Sequence, residues 1–355
     1  MTRDRRPKKY RHPALHLMLR TAKRILKKDE DYIQRALSVG EDYEYISVRH
    51  NGDKEYGKVI YVIKENSGQE GFCATLRFIL LFLMYAKQYG FVPCIKLTEE
   101  FAYYDEEKSR EIDNPWEYFF LEAGYKGDEN HAKNVVYSAS ADMTKVREWR
   151  WMDAYRTRNY YNERLFNSCS PLIRKYLVLR PEIIQESEKL LKEVHESGGK
   201  ILGVHFRGTD FKKEFKEHPV FVNEKQMIRA VQKAMEETGA AAVFLATDDA
   251  SFGRHIKASL GDTVLLVHND VFRSNSSRSV AFSENSRKYH HYRLGYEIAR
   301  DMYTLSLCDG LLAGKSSVSF MSNLYKHSRD EAYEYMHIID NGNNKNGKAA
   351  REHRS

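Results

Sequence analysis

The sequence predicts an α/β fold built on parallel sheet. Two observations carry this expectation. Short apolar runs of strand length alternate with longer segments whose apolar residues keep helical spacing. The runs themselves, such as Ile201-Leu202-Gly203-Val204, are apolar without alternation, the pattern of strands covered on both faces. At 355 residues the chain exceeds one small core, so two domains are the natural expectation. It reads as two Rossmann-like halves hinged near residues 195–200. Residues 1–195 form an N-terminal α/β domain, 196–330 a second Rossmann-like domain, and 331–355 a tail whose end is disordered.

Each element has its own justification. Within residues 14–28, Leu15, Met18, Leu19, Ala22, Ile25 and Leu26 keep helical spacing, with Arg20, Lys23, Arg24, Lys27 and Lys28 on the rest of the turn. This reads as a surface helix docked on the core; the alternative is an interfacial helix on an anionic membrane. Residues 58–63 read as a strand, 65–71 as a glycine-bearing loop, 72–89 as a long apolar-striped helix and 92–97 as the next strand, together a βαβ unit. Residues 99–118, acidic and aromatic, read as an insertion or loop, and 134–137 as another strand. Residues 151–180 are helical in pattern and dense in arginine and tyrosine. Pro181 opens a helix over 181–196, and Gly198-Gly199 lies just past its end. From Lys200 onward, strands at 201–206, 242–246, 263–268 and 310–313 alternate with helices at 223–238, 250–259, 292–307 and 317–326. That alternation implies a parallel sheet covered on both faces. Residues 341–355 carry no apolar side chains beyond two alanines and are expected to be disordered.

Composition narrows the class. The chain is 42% hydrophobic and 30% charged, as soluble globular proteins are. Its longest apolar run, 78–86, is under half of the ~20 residues a membrane helix needs. The basic N-terminus has no apolar stretch after it, so no secretory signal is expected. Cys73, Cys94, Cys169 and Cys308 lie at no metal-type spacing, which fits a reducing cytosol without a disulfide framework or metal site. A net charge of +7 favours anionic partners: nucleotides, phosphorylated glycans or an acidic membrane surface.

Four constellations carry candidate chemistry. The loop His205-Phe206-Arg207-Gly208-Thr209-Asp210 sits where a strand ends, and ligands of open α/β sheets bind outside the carboxyl ends of strands. Arg207 suits a phosphate there, with five donors in a fixed fork and a permanent charge; alternatively Arg207 and Asp210 merely pair with each other. Asp248-Asp249 follow the strand at 242–246 and suit a ribose or base edge, although Asp249 equally suits an N-cap for the helix from Ala250. Gly314-Lys315-Ser316-Ser317 stand between a strand and a helix, where hydroxyls and amides make an anion site. Walker spacing is missing upstream, and Ser317 would serve equally as an N-cap. Glu297, Arg300 and Asp301 share a helix; such a charged face is ordinarily solvated.

The order of these motifs resembles the superfamily of α1,6-fucosyltransferases, nodulation-factor fucosyltransferases and protein O-fucosyltransferases. His205, Arg207 and Asp210 meet its H-x-R-x-x-D form. Ala246-Thr247-Asp248-Asp249-Ala250-Ser251 is similar to the ATDD-x-S segment of the α1,6 branch. The run from Asp301 through Asp309 to Ser316-Ser317 is similar to its third motif. The resemblance covers about residues 200–325 and more faintly 66–71. Gly208 departs from the α1,6 enzymes, which carry a second arginine there.

The resemblance implies a GT-B-type fold, two Rossmann-like domains facing a cleft. It implies an inverting, metal-independent transferase that moves fucose from GDP-fucose to a glycan hydroxyl, with no cofactor. Arg207 would stabilise the leaving β-phosphate, His205 and Asp301 would hold the guanine, and Ser317 with Ser316 the phosphate. Asp248 joins the donor site, as do Lys212 and Lys213, of which one acts near the sugar. Glu214 or Asp210 would deprotonate the acceptor; Asp210 is alternatively a brace for Arg207. An arginine, a lysine and a helix N-terminus then supply the positive field a metal gives elsewhere. Trp151, Tyr155, Arg156, Arg158, Tyr160 and Tyr161 suit sugar stacking and anionic glycans, or else form an ordinary packed helix. The expected partners are GDP-fucose and an oligosaccharide or glycolipid acceptor, without nucleic acid. The expected location is the cytoplasm, with peripheral inner-membrane contact through residues 14–28. The rivals are another nucleotide sugar such as GDP-mannose, or a silent nucleotide- or glycan-binding module.

Overall fold

The computed structural model describes residues 49, 51–54, 58–64, 70–208, 215–261, 264–275 and 279–346. The helix expected within residues 14–28 lies outside them, as do most of the loop at 65–71 and the end of the tail. The chain divides into two compact units, one of Met1–Ile60 with Asp128–Val136, the other of Tyr61–Gly127 with Tyr137–Ser355. In the first, Arg49 and Val135 exchange amide–carbonyl bonds of 2.7 and 2.9 Å in an antiparallel bridge. The Lys133 amide donates to the Lys54 carbonyl at 2.8 Å.

The second unit holds most of the elements. Strand β1 (Ile60–Ile63), helix α1 (Phe72–Tyr89) and strand β2 (Val92–Ile95) follow the expected order. Helix α1 is buried on nearly every side and stops at Gly90, whose φ of 68° is the left-handed conformation a helix C-cap requires. A third short strand, β3 (Val135–Tyr137), appears where residues 134–137 predicted one. The predicted insertion at 99–118 is instead core. Tyr103, Trp116 and Tyr118 are buried; Phe101, Tyr103, Phe119 and Phe120 surround the Phe72 ring, Trp116 stacks on Phe120 and Tyr118 meets Phe119 edge-on. The aromatic rings supply buried apolar area, while Glu99, Glu100, Glu106, Glu107 and Glu111 stay exposed and the buried Asp105 accepts the Lys108 amide at 3.1 Å. Residues 151–162 are a loop with a 3₁₀ turn at Thr157–Tyr161, and only then does helix α2 (Glu163–Tyr176) begin, capped by Asn162. Helix α3 (Pro181–Glu196) has the bounds and the N1 proline the sequence predicted.

The larger sheet takes β4 (Ile201–Phe206), β5 (Ala242–Thr247), β6 (Val264–Leu266), β7 (Gly310–Gly314) and β8 (Tyr335–Ile339). All pairings are parallel, in the order β6-β5-β4-β7-β8. Between the strands run α4 (Glu224–Thr238), α5 (Ala250–Leu260), α6 (His290–Leu307) and α7 (Ser317–Ser328). Leu202, Val204 and Phe206 point to one face of β4, where Met227, Val231 and Ala234 of α4 and Phe252 and Ile256 of α5 meet them. Burying one such side chain contributes about 1.5–3 kcal/mol. His205 alternates to the other face.

Helix α3, just before residues 195–200, packs along α6 and reaches β4. One expectation changes. The segment predicted as tail supplies β8, an edge strand paired to β7 along its full length. Residues 341–344 are hydrogen-bonded rather than loose: Asn344 N donates to the His218 carbonyl at 2.9 Å, and Val220 N to that of Gly342 at 3.0 Å. Polar composition hid this, since a backbone ladder needs no apolar side chains. No described helix is long and apolar enough to cross a membrane. The four cysteines are free and buried.

Candidate active site

In the strand order β6-β5-β4-β7-β8 the winding reverses between β4 and β7. The crevice beyond the carboxyl ends of these two strands is where such sheets take ligands. Register places His205 beside Ala246 on one flank and Ala313 on the other. Arg207 leaves the end of β4 and Lys315-Ser316 the end of β7. A cavity of about 410 Å³ opens here, and His205, Arg207, Asp248, Asp301, Ser316 and Ser317 all line it. The sequence placed these six at strand ends, a helix start and within a helix; the fold brings them to one cavity. Asp210, Lys212, Lys213 and Glu214 lie outside the described residues.

Arg207 is ion-paired with Asp248, whose other oxygen accepts the Gly208 amide at 2.8 Å. Its Nη2 also reaches Ser279 Oγ at 3.4 Å. Asp248 therefore orients the guanidinium. Asp249 is the N-cap of α5, accepting the amides of Ser251 and Phe252 at 2.9 and 3.1 Å, so of its two readings the capping one holds. Gly208 passes close to this cap: a Cβ there would lie 2.5 Å from the Asp249 carboxylate.

His205 is buried, with Nδ1 3.2 Å from Ser316 Oγ. Burial and the nearby Arg207 charge lower its pKa to about 3, so the imidazole is neutral at physiological pH. Ser316, not Ser317, caps α7, accepting the Ser319 amide at 3.1 Å. Ser317 instead faces the cavity and accepts a hydrogen bond from Arg77 Nη1 at 2.8 Å. The reason lies in Tyr160, fully buried, whose hydroxyl accepts the Ser316 amide at 3.0 Å. That contact fixes Ser316 in the extended conformation an N-cap adopts.

The charged face on α6 is buried rather than solvated. Glu297 accepts the Phe272 amide at 3.0 Å and pairs with Arg287, and Arg300 pairs with Glu186 and Asp270. Asp301 is 7% exposed, and its Oδ1 has no hydrogen-bond partner among the described residues. Desolvation raises its pKa to about 7, against the pull of Arg273 and Arg300. A buried carboxylate edge aimed into a cavity is an acceptor without a donor.

Two features escaped the sequence reading. Arg77 lies on α1 and donates from Nε to the Met152 carbonyl at 2.7 Å besides holding Ser317. Its signal was a lone arginine in the middle of an apolar helix. The N-terminus of α1 itself, Gly71 to Ala74, also lines the cavity. Its first turn has no acidic residue, and its N-cap Gly71 supplies no side-chain acceptor, although the Phe72 amide donates to the Tyr103 hydroxyl at 3.1 Å and Glu70 stands just before it. Of the aromatic and basic residues at 151–161, only Tyr155 lines this cavity, beside Asp153; Tyr160 is core and Tyr161 is exposed. Among the described residues no group of three or more His, Cys, Asp or Glu side chains is placed to hold a metal ion.

Fold and site together define an α/β protein with a cavity, lined by both charged and apolar side chains, at the switch point of a doubly wound parallel sheet. No family model and no curated protein matches the chain. Among solved structures it is similar to the NodZ α1,6-fucosyltransferase soaked with GDP-fucose, at 17% identity and a TM-score of 0.42 over 75% of this chain and 92% of that one. It is also similar to POFUT1 in complex with GDP, at 11% identity and a TM-score of 0.41 over 80% and 99% of the two chains.

Proposed function

We propose that the protein is a GT-B-type glycosyltransferase that moves fucose from GDP-fucose to a glycan hydroxyl, by inversion and without a metal. One observation carries this reading: Arg207, the N-terminus of α7, His205 and Asp301 converge on one cavity at the switch point. A diphosphate against Arg207 and Ser317 meets a guanidinium and a helix N-terminus, which stabilise charge as it develops on the leaving group. Asp301 suits guanine, whose N1–H and N2–H₂ donors need an acceptor-only partner, and a neutral His205 adds no charge of its own. Arg77 holds Ser317 in place and adds positive field. The motif order His205-Arg207-Asp210 is the support for fucose as the sugar and for Glu214 or Asp210 as the base.

The test is donor turnover. Incubation with GDP-fucose should release GDP and fucose slowly, and faster with an acceptor. Arg207→Ala should lower the rate about 10²–10³-fold, as the loss of one charge-stabilising donor does. Binding of GDP-fucose without turnover under any acceptor would favour a silent module. Faster turnover of GDP-mannose would reassign the sugar, and loss of activity in EDTA would remove the metal-independent mechanism.

A further inference from the structure

A second concavity, of about 530 Å³, is lined by Trp151, Arg158, Tyr161, Asn162 and Arg164 among others, none of which lines the first. We propose that this groove binds an anionic oligosaccharide, the acceptor of the transfer; the word acceptor rests on the function proposed above, the binding site does not. Tyr161 is 54% exposed, yet its ring is not loose: the hydroxyl donates to the Met336 carbonyl at 3.3 Å. Trp151 carries the Arg147 guanidinium 5.3 Å from its ring centroid. Arg147 thus covers one face of Trp151, while the Tyr161 ring, held by its hydroxyl, offers a face on which the C–H side of a sugar stacks at little entropic cost.

The charges supply the other half. Arg158 and Arg164 are both exposed and form no ion pair among the described residues; with the one carboxylate of the lining, Glu163, also exposed, the two guanidiniums leave the groove net positive. Elsewhere arginines of this chain take acidic partners: Arg156 takes Asp153, Arg174 takes Asp330 and Arg300 takes Glu186. Two guanidiniums in one groove present planar forks suited to a carboxylate or phosphate. The groove floor is built rather than fortuitous. Asn159 is buried and its amide donates to the carbonyls of Arg150 and Asp153 at 3.3 and 2.8 Å. Thr157 bonds Asp340, and Tyr160 bonds Ser316 at the donor cavity. One stretch of chain, 151–164, thus walls both spaces, giving Asp153 and Tyr155 to the cavity and Trp151, Arg158 and Tyr161 to the groove.

The experiment titrates the full chain with an oligogalacturonate, a phosphorylated oligosaccharide and a neutral chito-oligosaccharide of equal length, followed by calorimetry. The charged glycans should bind at least about tenfold tighter than the neutral one, through charge-assisted hydrogen bonds. The tighter of the two names the anion. The preference should shrink at about 0.5 M salt, where screening is strong. Arg158→Gln with Arg164→Gln should abolish the preference with the melting temperature unchanged, since both side chains are exposed. Tyr161→Ala should weaken charged and neutral glycans alike. Equal binding of all three glycans, or none by any, overturns the proposal. Donor hydrolysis is measured separately on the wild type: hydrolysis without glycan preference sinks the groove alone, and preference without hydrolysis sinks the transferase reading alone.

Discussion

Asp301 is the residue whose chemistry is most sensitive to pH. Its carboxyl titrates at about 7 instead of the ordinary 3.8, because the cavity wall desolvates it. The folded state therefore holds a proton that the unfolded chain releases, so this group makes the empty protein less stable as pH rises from roughly 4 to 7. If Asp301 takes the guanine donors as proposed, the ionised form is the better acceptor, so affinity should move the opposite way. Between pH 6 and 8 the ionised fraction climbs from roughly a tenth to nine-tenths, and GDP should bind about tenfold tighter at the higher pH. Asp301→Asn should lose that gain; the phosphates titrate identically in both proteins and cancel in the comparison. A parallel pH slope in the two would remove Asp301 from the base site. At Gly208 the constraint is steric. A methyl group there meets the buried Asp249 cap, so Gly208→Ala should cost about 1–3 kcal/mol, read as a lowered urea midpoint. His205 and Arg207 were visible in the sequence because a strand-end position and a residue type suffice to nominate them. Arg77 was not, because its partner Ser317 lies 240 residues away.

Most elements were legible from local pattern, and the misreadings share a cause. Helices α1 and α3 match their predicted bounds, since periodicity, Pro181 and the glycines past their ends are local signals. Strand β8 and the segment after it were missed because their order comes from backbone partners elsewhere. Lys315, buried, bonds Asp340, the Gly342 carbonyl at 3.1 Å and Asn343 Oδ1 at 2.7 Å, tying this segment to the loop that presents Ser316. The same segment clamps residues 217–220, which follow Lys212, Lys213 and Glu214 in sequence, and His218 from this stretch lines the cavity. Deleting residues 341–355 should therefore loosen an element far away in sequence. Amide exchange at Glu217 and Val220 should accelerate by at least about tenfold, because their carbonyl acceptors are removed. Unchanged protection at both amides would show that the clamp is not needed.

At the scale of the whole molecule, the decisive feature is the order β6-β5-β4-β7-β8. It puts the ends of β4 and β7 side by side, so that His205, Arg207, Ser316 and Ser317 face one space. A nucleotide bound there touches several elements of the fold at once and should stabilise it by mass action. At a hundred times its dissociation constant, GDP should add about 2.7 kcal/mol to the unfolding free energy. A thermal melt with and without GDP measures this, and Arg207→Ala should need more nucleotide for the same shift. No shift at saturating GDP would sink the nucleotide reading of the cavity.

The sequence by itself determined the alternation of strands and helices, the buried character of the parallel strands, and the presence of cationic, hydroxyl and acidic groups at their carboxyl ends. These follow from periodicity and from residue types within a few positions of one another. Only the tertiary structure decided that Asp249 and Ser316 are caps, that Asp248 orients Arg207, that the acids of α6 are buried, and that the polar segment after Ile339 is held in place. Each of these depends on a partner distant in sequence and on exclusion of water, and neither is encoded in a local pattern.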